Sequence, residues 1–300
     1  MLLSKLINKI FRTTLIMFLI LSAFTIMNYS NEKVLRTNIE INNIEEIPKT
    51  EIYLLSDNDY LVKANIYLED NIIESKAKKI IEYLKVDNNK IPSGLNGYLL
   101  EDIEVNQIIL ENTNLKINFS NEFLNLNNKE LVITGLVYSL NKLPGVETIE
   151  ILVEDKYLEN YNYKLNKELG INKEYLLKDR NDIKKVTVLY YDEINNTEYL
   201  TPVTKYINDN RETVEIIIDE LSTNVPNNLI GYLSDKTTLV DYHEENDLMI
   251  LNFDKEFKSS NNTINQKTMT LIAESIFENY DLNMVLFQEN SQKIDYIRKN

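Results

Sequence analysis

Few residues of this 300-residue chain have the types and spacing that catalysis or metal binding requires. The chain has one histidine, His243, and no cysteine, which excludes a multi-histidine metal centre, thiolate catalysis, sulfur-ligated zinc and disulfides. A serine-hydrolase triad would have to use His243 as its base. No phosphate-binding glycine loop, dinucleotide fingerprint or nucleophile elbow is present. The sequence therefore predicts no catalytic residue, no cofactor and no metal site.

Acidic residues leave two further kinds of chemistry open. Glu122 and Glu256 recur at matching positions, as do Glu82 and Asp219, and a pair of acids could serve a glycosidase. An acid at the end of a hairpin is more typical of a solvated or capping residue. The turns SDND (56–59) and EEND (244–247) could hold calcium weakly, but neither has EF-hand spacing. A surface turn is the simpler interpretation of both.

Composition limits the classes of partner. Acidic residues number 47 and basic residues 32, giving a formal charge of −15, so the chain should be repelled by nucleic-acid phosphates and by anionic lipid. Apolar residues make up 43% of the chain, which is enough for a sizeable core. The sequence therefore predicts a folded protein with no nucleic-acid partner.

Two stretches of the chain repeat at a constant offset of 134 residues. IPSGLNGYL (91–99) aligns with VPNNLIGYL (225–233), and LKINFSNEFL (115–124) aligns with MILNFDKEFK (249–258). Nine of these nineteen positions are identical. Upstream stretches repeat at offsets of 137 and 139, as expected for a duplication with small loop insertions. The chain therefore carries two copies of one domain.

The repeated residues are of the kinds that shape a fold. Ser120 and Asp254 can each accept a hydrogen bond from a backbone N–H two or three residues further on. Gly97 and Gly231 allow a positive φ or close packing, and Pro92 and Pro226 stop the chain from re-entering the preceding helix. His243 aligns with Ile109, which favours packing or an edge position for it. The phenylalanine pairs Phe119/Phe123 and Phe253/Phe257 flank the hairpin corner of each copy and should pin it to the core.

The apolar periodicity of each copy predicts the order ββαββαβ. Two helices cannot cover both faces of a sheet, so the predicted class is α+β, a small sandwich with a largely antiparallel sheet and helices on one side. The predicted domains are residues 50–156 and 185–300, joined by a polar, helix-prone connector, 157–184. The sequence does not fix the register of the second helix in the second copy.

The first 28 residues are predicted to be a membrane segment. Lys5, Lys9 and Arg12 precede the uncharged run 13–27, which is of borderline length for a bilayer span. The run can be an uncleaved signal-anchor, a cleaved signal peptide or a buried helix; no clear cleavage site is present. The polar residues 29–49 are then expected to form a stalk. The expected location is the cell membrane, single-pass with the C-terminal part outside, or secretion if the segment is cleaved.

The loop at 91–99, the hairpin ends NFSNEF and NFDKEF, and the strand PGVETIEILVE resemble the GerMN domain of sporulation and spore-germination proteins. The resemblance covers nearly the whole chain after residue 50. It implies an envelope role in sporulation or germination, domains similar to ring-building modules, and no catalytic residues. One departure is the absence of cysteine, since members of the family are often tethered as lipoproteins.

The leading functional hypothesis is therefore a noncatalytic, membrane-anchored protein that acts as an interaction or assembly module of the cell envelope. Its expected partners are envelope or sporulation membrane-complex proteins, copies of itself, and the membrane through the N-terminal helix. The alternatives are a module that binds cell-wall polysaccharide and an acid-pair cell-wall hydrolase. The sequence does not name the partners, the stoichiometry, or the stage between sporulation and germination.

Overall fold

A computed structural model of the chain describes residues 14, 17, 49–86, 88–158, 161, 164–254, 257 and 265–299. The predicted membrane segment lies outside the described residues except for Thr14 and Met17. Among the residues that are described, no helix has both the length and the apolar character needed to cross a bilayer. Residues Ile47–Asn300 form one compact unit, so both copies of the repeat belong to a single body.

The first copy consists of two small sheets and two helices. Strand β2 pairs antiparallel with β1, which pairs antiparallel with β3; in the second sheet the order is β4-β5-β6-β7, with β5 and β6 parallel. The elements are β1 (Lys49–Ser56), β2 (Leu61–Tyr67), α1 (Ile73–Tyr83), β3 (Leu95–Asn96), β4 (Val105–Glu111), β5 (Asn114–Phe119), α2 (Lys129–Leu140), β6 (Thr148–Val153) and β7 (Lys156–Tyr157).

The second copy repeats this order after a connector. Its sheets are β11-β9-β10-β8 and β12-β13-β14-β15, and β13 and β14 are parallel as β5 and β6 are. The elements are β8 (Glu174–Leu176), β9 (Lys184–Ile194), β10 (Thr197–Ile207), α3 (Thr213–Ser222), β11 (Leu229–Ile230), β12 (Leu239–Glu245), β13 (Leu248–Phe253), α4 (Gln266–Asn279), β14 (Met284–Glu289) and β15 (Gln292–Arg298). The predicted α+β class and the tandem arrangement are confirmed.

Two details differ from the expected sandwich. Each copy has two sheets where one was expected. The connector, expected to be helix-prone, contains among its described residues a 3₁₀ turn at Lys167–Leu169 and the strand β8.

The helices have clear reasons to form where they do. In α1 the buried residues Ala77, Ile80 and Ile81 lie on one face. Helix α2 begins at the N-cap Asn128, whose side chain accepts from the N–H of Leu131, and α4 begins at Asn265 in the same way. Residues 132–140 of α2 are buried all round, so this helix lies within the core of the first copy.

A buried serine on the second helix of each copy fixes the register that the sequence left open. The Oγ of Ser139 accepts from the backbone N–H of Tyr53 at 2.9 Å, and the Oγ of Ser275 accepts from that of Leu189 at 2.8 Å. The two bonds are equivalent, so α2 and α4 correspond at an offset of 136 residues. In both copies the serine hydroxyl accepts a hydrogen bond from a strand N–H group that donates to no neighbouring strand.

Removing either hydroxyl should destabilise the fold. Ser139→Ala and Ser275→Ala each leave a buried backbone N–H without its acceptor, which costs about 1–3 kcal/mol of unfolding free energy. Urea unfolding followed by circular dichroism measures this. Ser222→Ala is the control, because its half-buried hydroxyl only donates to a helix carbonyl, that of Asp219. Equal effects for all three variants would show that the two buried bonds have no special weight.

Candidate functional site at the junction of the two copies

The structure does not give Glu122 the environment of a catalytic acid. Glu122 lies in the 3₁₀ turn Asn121–Asn125 after β5. The Ser120 hydroxyl, together with a backbone N–H, lowers the pKa of the Glu122 carboxyl. A general acid needs a pKa raised toward neutrality, so this shift has the wrong direction. Glu256, its predicted counterpart, lies outside the described residues.

His243 lies on an edge strand and is exposed to solvent. It belongs to β12, the outer strand of its sheet, and pairs with Ile250. Its counterpart Ile109 is partly exposed on β4, the matching outer strand. The edge position that the repeat predicts for His243 is therefore what the structure shows.

The acidic stretches at 56–59 and 244–247 both form hairpin turns. Ser56 Oγ accepts from the N–H groups of Asn58 and Tyr60, and in the other turn the carbonyl of Asp247 accepts from the N–H groups of Asn283 and Met284. Among the described residues no three His, Asp or Glu side chains lie where they could share a metal ion. The surface-turn interpretation accounts for both stretches.

The hairpin corners use their repeated residues as structural parts. Ser120 N–H donates to the carbonyl of Glu104, and Asp254 N–H donates to that of Thr238, in matching positions. The predicted side-chain cap at Ser120 is wrong, because its Oγ is used across the hairpin, where it accepts from the N–H of Glu104 at 3.1 Å. Repeated phenylalanine pairs stack over both corners, with ring centroids 4.6 Å apart for Phe119 and Phe123 and 4.2 Å for Phe253 and Phe257.

The repeated glycines are required for close packing. A Cβ on Gly97 would lie 2.0 Å from the carbonyl oxygen of Lys85, and one on Gly231 would lie 2.3 Å from that of Leu221. Neither glycine has a positive φ. Of the two roles predicted for them, the structure selects the close approach of the loop to the end of the preceding helix.

Among the residues that the structure describes, the largest group of buried charges lies between the two copies, where the sequence predicted nothing. Lys63 of β2 is buried, and its Nζ lies 3.1 Å from Glu274 and 3.6 Å from Glu278 on α4 of the second copy. It also lies 3.8 Å from Glu51 on β1. We call this group, with Lys142 and Lys167, the junction cluster. It joins the β1–β2 hairpin of the first copy to helix α4 of the second.

The other two lysines complete the charge balance of the junction cluster. Lys142 Nζ lies 2.5 Å from Glu51, and Lys167 Nζ lies 3.0 Å from Glu278. Three lysines therefore face three glutamates around a cavity of about 160 Å³. Because each charge is buried or half-buried, removing one leaves its partners uncompensated at a cost well above that of a surface pair.

The pKa values within the junction cluster show which side chains keep their charge despite burial. Burial works to raise the pKa of Glu278, but Lys63, Lys167 and Lys142 outweigh it and lower that pKa to about 2. Burial also opposes the charge on Lys63, but Glu51, Glu278 and Glu274 raise its pKa. The pKa of Lys142 is lowered by burial and by Lys63.

Acid should therefore weaken the folded state through Glu278. Its folded pKa of about 2 is below the ordinary 4.5, so the stabilisation is present above pH 4.5 and is lost as pH falls toward 2. Glu278→Gln should lower stability at neutral pH and flatten the pH dependence across that window. Urea unfolding at several pH values measures both, with the exposed Glu193→Gln as control. An unchanged acid limb in Glu278→Gln would contradict the assignment.

Uncharged contacts extend the junction on both sides of the cluster. The Asn172 side chain accepts from the N–H of Leu61 at 2.9 Å and donates to the carbonyls of Leu61 and Pro202. It thereby ties β2 to β10 through the connector. At the far end Asn58 Nδ2 donates to Asp192 Oδ1 at 2.6 Å. These bonds, like the charges, fix how the two copies are oriented.

The β9–β10 hairpin of the second copy also reaches the first core. Ile194, at the end of β9, is buried among the core residues of the first copy. A Cβ on Gly94 would lie 2.3 Å from the Ile194 methyl Cγ2, so the glycine leaves room for it. Asn195 then donates to the carbonyl of Ser93 at 3.2 Å. The second copy therefore supplies some of the packing of the first.

Two open clefts lie on the first copy. The larger, about 810 Å³, lies between the start of α2, the β6–β7 turn and the connector. The smaller, about 480 Å³, lies beside α1 and includes Tyr67, Tyr83, Lys78 and Lys90. The smaller cleft thus combines lysines with the exposed ring of Tyr67 and the half-buried ring of Tyr83, on a chain with a formal charge of −15.

Sequence reasoning missed the junction cluster because its members come from distant stretches of the chain. One signal was available, the spacing of Glu274 and Glu278, which are four residues apart and thus on one face of α4. Lys63 gave none, because it lies on the face of β2 opposite the apolar Val62, Ala64 and Ile66. Nothing in the sequence indicates that these two faces meet.

Comparisons with known proteins agree with the fold. The family model described as "Germane: Sporulation and spore germination" matches residues 51–159. The chain is 27% identical over 199 residues to the spore germination protein GerM of Bacillus subtilis, covering 62% of this chain and 54% of the relative. The chain thus spans about half the length of the curated relative that it matches.

The solved structures add a likeness in three dimensions. The tandem GerMN domains of the sporulation protein GerM from Bacillus subtilis superpose with a TM-score of 0.76 at 21% identity, covering 84% of this chain and 97% of that structure. At this identity the superposition shows the fold alone. Because it covers both copies, it shows that the tandem arrangement is shared.

Proposed function

We propose that this chain, which is similar to GerM and shares the fold of its tandem GerMN domains, acts in sporulation or spore germination as a noncatalytic assembly module of the cell envelope. Its two copies form one body that presents surfaces to envelope or membrane-complex proteins at a fixed spacing. The relatives' names support the biological setting. The residues repeated between the copies support a structural task, since they serve packing and turns.

The observation that carries the proposal is the junction between the copies. A flexible tandem array needs no contact between its modules, whereas here the junction cluster and Asn172 fix the two copies in one orientation. Fixed spacing raises the avidity of a two-module protein for partners of matching geometry. A fixed junction of this kind suits a protein that positions its partners and does not catalyse a reaction.

We further propose that residues 13–27 anchor the chain in the cell membrane with the two copies outside. The support is the sequence: an uncharged run preceded by basic residues. Anchoring would also bring the acidic body close to a lipid surface that its charge alone would not favour.

Cross-linking in sporulating cells tests the main proposal. Tagged full-length chain should capture a small, reproducible set of envelope proteins, or copies of itself. Asn58→Ala combined with Asn195→Ala removes three side-chain hydrogen bonds of the junction, and this variant should capture less. The exposed Asn89→Ala is the matched control. Strictly monomeric behaviour with no captured partner would remove the proposal.

A second candidate is binding of cell-wall polysaccharide, favoured by the cleft beside α1. Tyr67 and Tyr83 could stack on sugar rings, and Lys78 and Lys90 could bind acidic groups on the polymer. Full-length chain should then be retained on purified peptidoglycan at moderate salt, and Tyr83→Ala should release it while Tyr157→Ala does not. Clearing of cell walls that is lost in Glu122→Gln or Glu256→Gln would instead indicate a hydrolase.

A further inference from the structure

Strands β2 and β10 are equivalent, which allows their edges to be compared residue by residue. The matching serine bonds equate Tyr53 of β1 with Leu189 of β9. Tyr53 pairs with Lys63, and Leu189 pairs with Pro202. Residues of β2 therefore correspond to residues of β10 at an offset of 139, in agreement with the sequence repeat.

In the second copy the outer edge of β10 is covered by the connector. Strand β8 pairs with it in parallel, with Tyr206 opposite Tyr175, and Thr204 N–H donates to the carbonyl of Ile171 at 2.8 Å. The rings of Tyr175 and Tyr206 stack with centroids 4.9 Å apart. Just beyond the strand, Asn208 Oδ1 accepts from the N–H of Lys178 at 2.7 Å and from that of Asp179.

In the first copy the equivalent edge is open from Asn65 onward. The N–H and C=O of Leu61 face this edge, because both bond to Asn172. Backbone groups alternate along an antiparallel strand, so those of Asn65 and Tyr67 face the same way. Within the described residues β2 pairs with β1 alone, and no hydrogen bond reaches these groups. Both side chains are exposed, Tyr67 by 58%.

The residue that ends the covered edge also has a counterpart. Asn208 corresponds to Glu69, which is exposed and carries side-chain oxygens at the position where Asn208 accepts two backbone N–H groups. The open edge therefore has the three features that hold β8 in the second copy: outward backbone groups, a tyrosine ring and an acceptor beyond the strand. A carboxylate makes the acceptor stronger than an amide.

We propose that the edge of β2 from Asn65 to Glu69 binds an extended segment of a partner protein by strand addition. The segment would lie parallel to β2, place an aromatic ring on Tyr67, and donate two backbone N–H groups to Glu69. Main-chain bonds give such additions their affinity, and the side-chain positions give them specificity. The inference rests on the proposed role as an interaction module, and it identifies the β2 edge as a surface that binds a partner.

A second copy of this chain is a poorer occupant than a different protein. The segment with the matching chemistry, residues 171–180, is bonded to its own β10 along the strand. Its N–H groups at Lys178 and Asp179 are likewise taken by its own Asn208. To reach another molecule's β2 it would have to leave these contacts.

A synthetic peptide of that segment, INKEYLLKDR, is a direct probe of the edge. Labelled with fluorescein and added to full-length chain in detergent, it should bind saturably, as measured by fluorescence anisotropy. Tyr67→Ala should weaken binding at least about tenfold, equivalent to about 1.4 kcal/mol. Asn65→Pro, which removes an outward N–H at a strand edge, should do the same. Tyr157→Ala, a partly exposed tyrosine elsewhere, should leave binding unchanged.

Two further measurements test whether the aromatic ring of the segment and the position of Tyr67 matter for binding. The peptide INKESLLKDR, which lacks the aromatic ring, should bind more weakly than the original. A photo-reactive benzoylphenylalanine in place of Tyr67 should cross-link to another protein in sporulating cells. Absence of saturable binding, equal binding by every variant, or cross-links confined to the chain's own N-terminal residues would overturn the proposal. Partner capture without peptide binding removes this inference alone; peptide binding without capture removes the proposed function.

Discussion

Gly97→Ala should lower the free energy of unfolding by about 3 kcal/mol or more. The new Cβ would lie 2.0 Å from the carbonyl oxygen of Lys85 and 2.4 Å from its carbon, both of them backbone atoms. The loop cannot retreat, because the N–H groups of Tyr98 and Leu99 both donate to the carbonyl of Leu84, at 2.8 and 2.9 Å. Either these bonds or the end of α1 must give way.

The second copy and one exposed glycine provide the controls for this substitution. Gly231→Ala should have a similar effect, since its Cβ would meet the carbonyl oxygen of Leu221 at 2.3 Å. Gly145 has a φ of 79° and nothing within 4 Å of an added Cβ, so Gly145→Asn should cost less than about 1 kcal/mol. Urea unfolding of the purified variants measures all three. Comparable losses at Gly97 and Gly145 would show that the close approach has no special cost.

Lys63→Met should destabilise the protein by about 3–5 kcal/mol, because it leaves buried carboxylates without their shared cation. Methionine has a similar length, so packing changes little. Glu278 is the residue most affected, since it loses the first of the cations that hold its pKa at about 2. The loss should be seen as a lower urea midpoint at neutral pH and as a rise in the apparent pKa of acid unfolding.

A double variant separates the lost charge from lost packing. Adding Glu278→Gln to Lys63→Met removes one orphaned carboxylate, so the combined loss should be smaller than the sum of the two single losses. Lys78→Met, at an exposed position on α1, should change stability by less than about 0.5 kcal/mol. Additive single effects would mean that Lys63 and Glu278 do not interact.

The repeat made most of the fold predictable from sequence. Aligning Phe119 with Phe253 and Gly97 with Gly231 located the hairpin corners and helix ends of both copies, and the structure places them in matching contacts. These residues are informative because their roles are local: each acts on an element within a few positions along the chain. Periodicity gave the strands and helices for the same reason.

Identical residues in the two copies did not always have identical surroundings. Tyr98 is buried, and its hydroxyl occupies the space that a Cβ on Gly135 of α2 would need. At the equivalent position α4 has Leu271, and Tyr232 instead turns outward with a φ of 56° to bond Glu198. One helix residue decides the direction of the tyrosine, and the sequence shows this only once the register of α4 is known.

The junction was beyond prediction for a different reason. Glu51 and Lys63 lie on one hairpin, but a long stretch of chain separates Glu278 from both, and each has an ordinary setting in its own element. Their burial depends on how two finished domains dock, which neither propensity nor periodicity encodes. Glu122, by contrast, was expected to be a solvated or capping residue, and it lies half-buried in the corner turn beside Ser120.

Because Ile194 of the second copy packs in the core of the first, cutting the chain at the connector would not give two complete domains. A fragment that stopped before β9 would expose a hole beside Gly94, and a fragment that began there would present a bare isoleucine to water. Heating should therefore melt both halves in one cooperative transition, because neither copy has a complete core without the other.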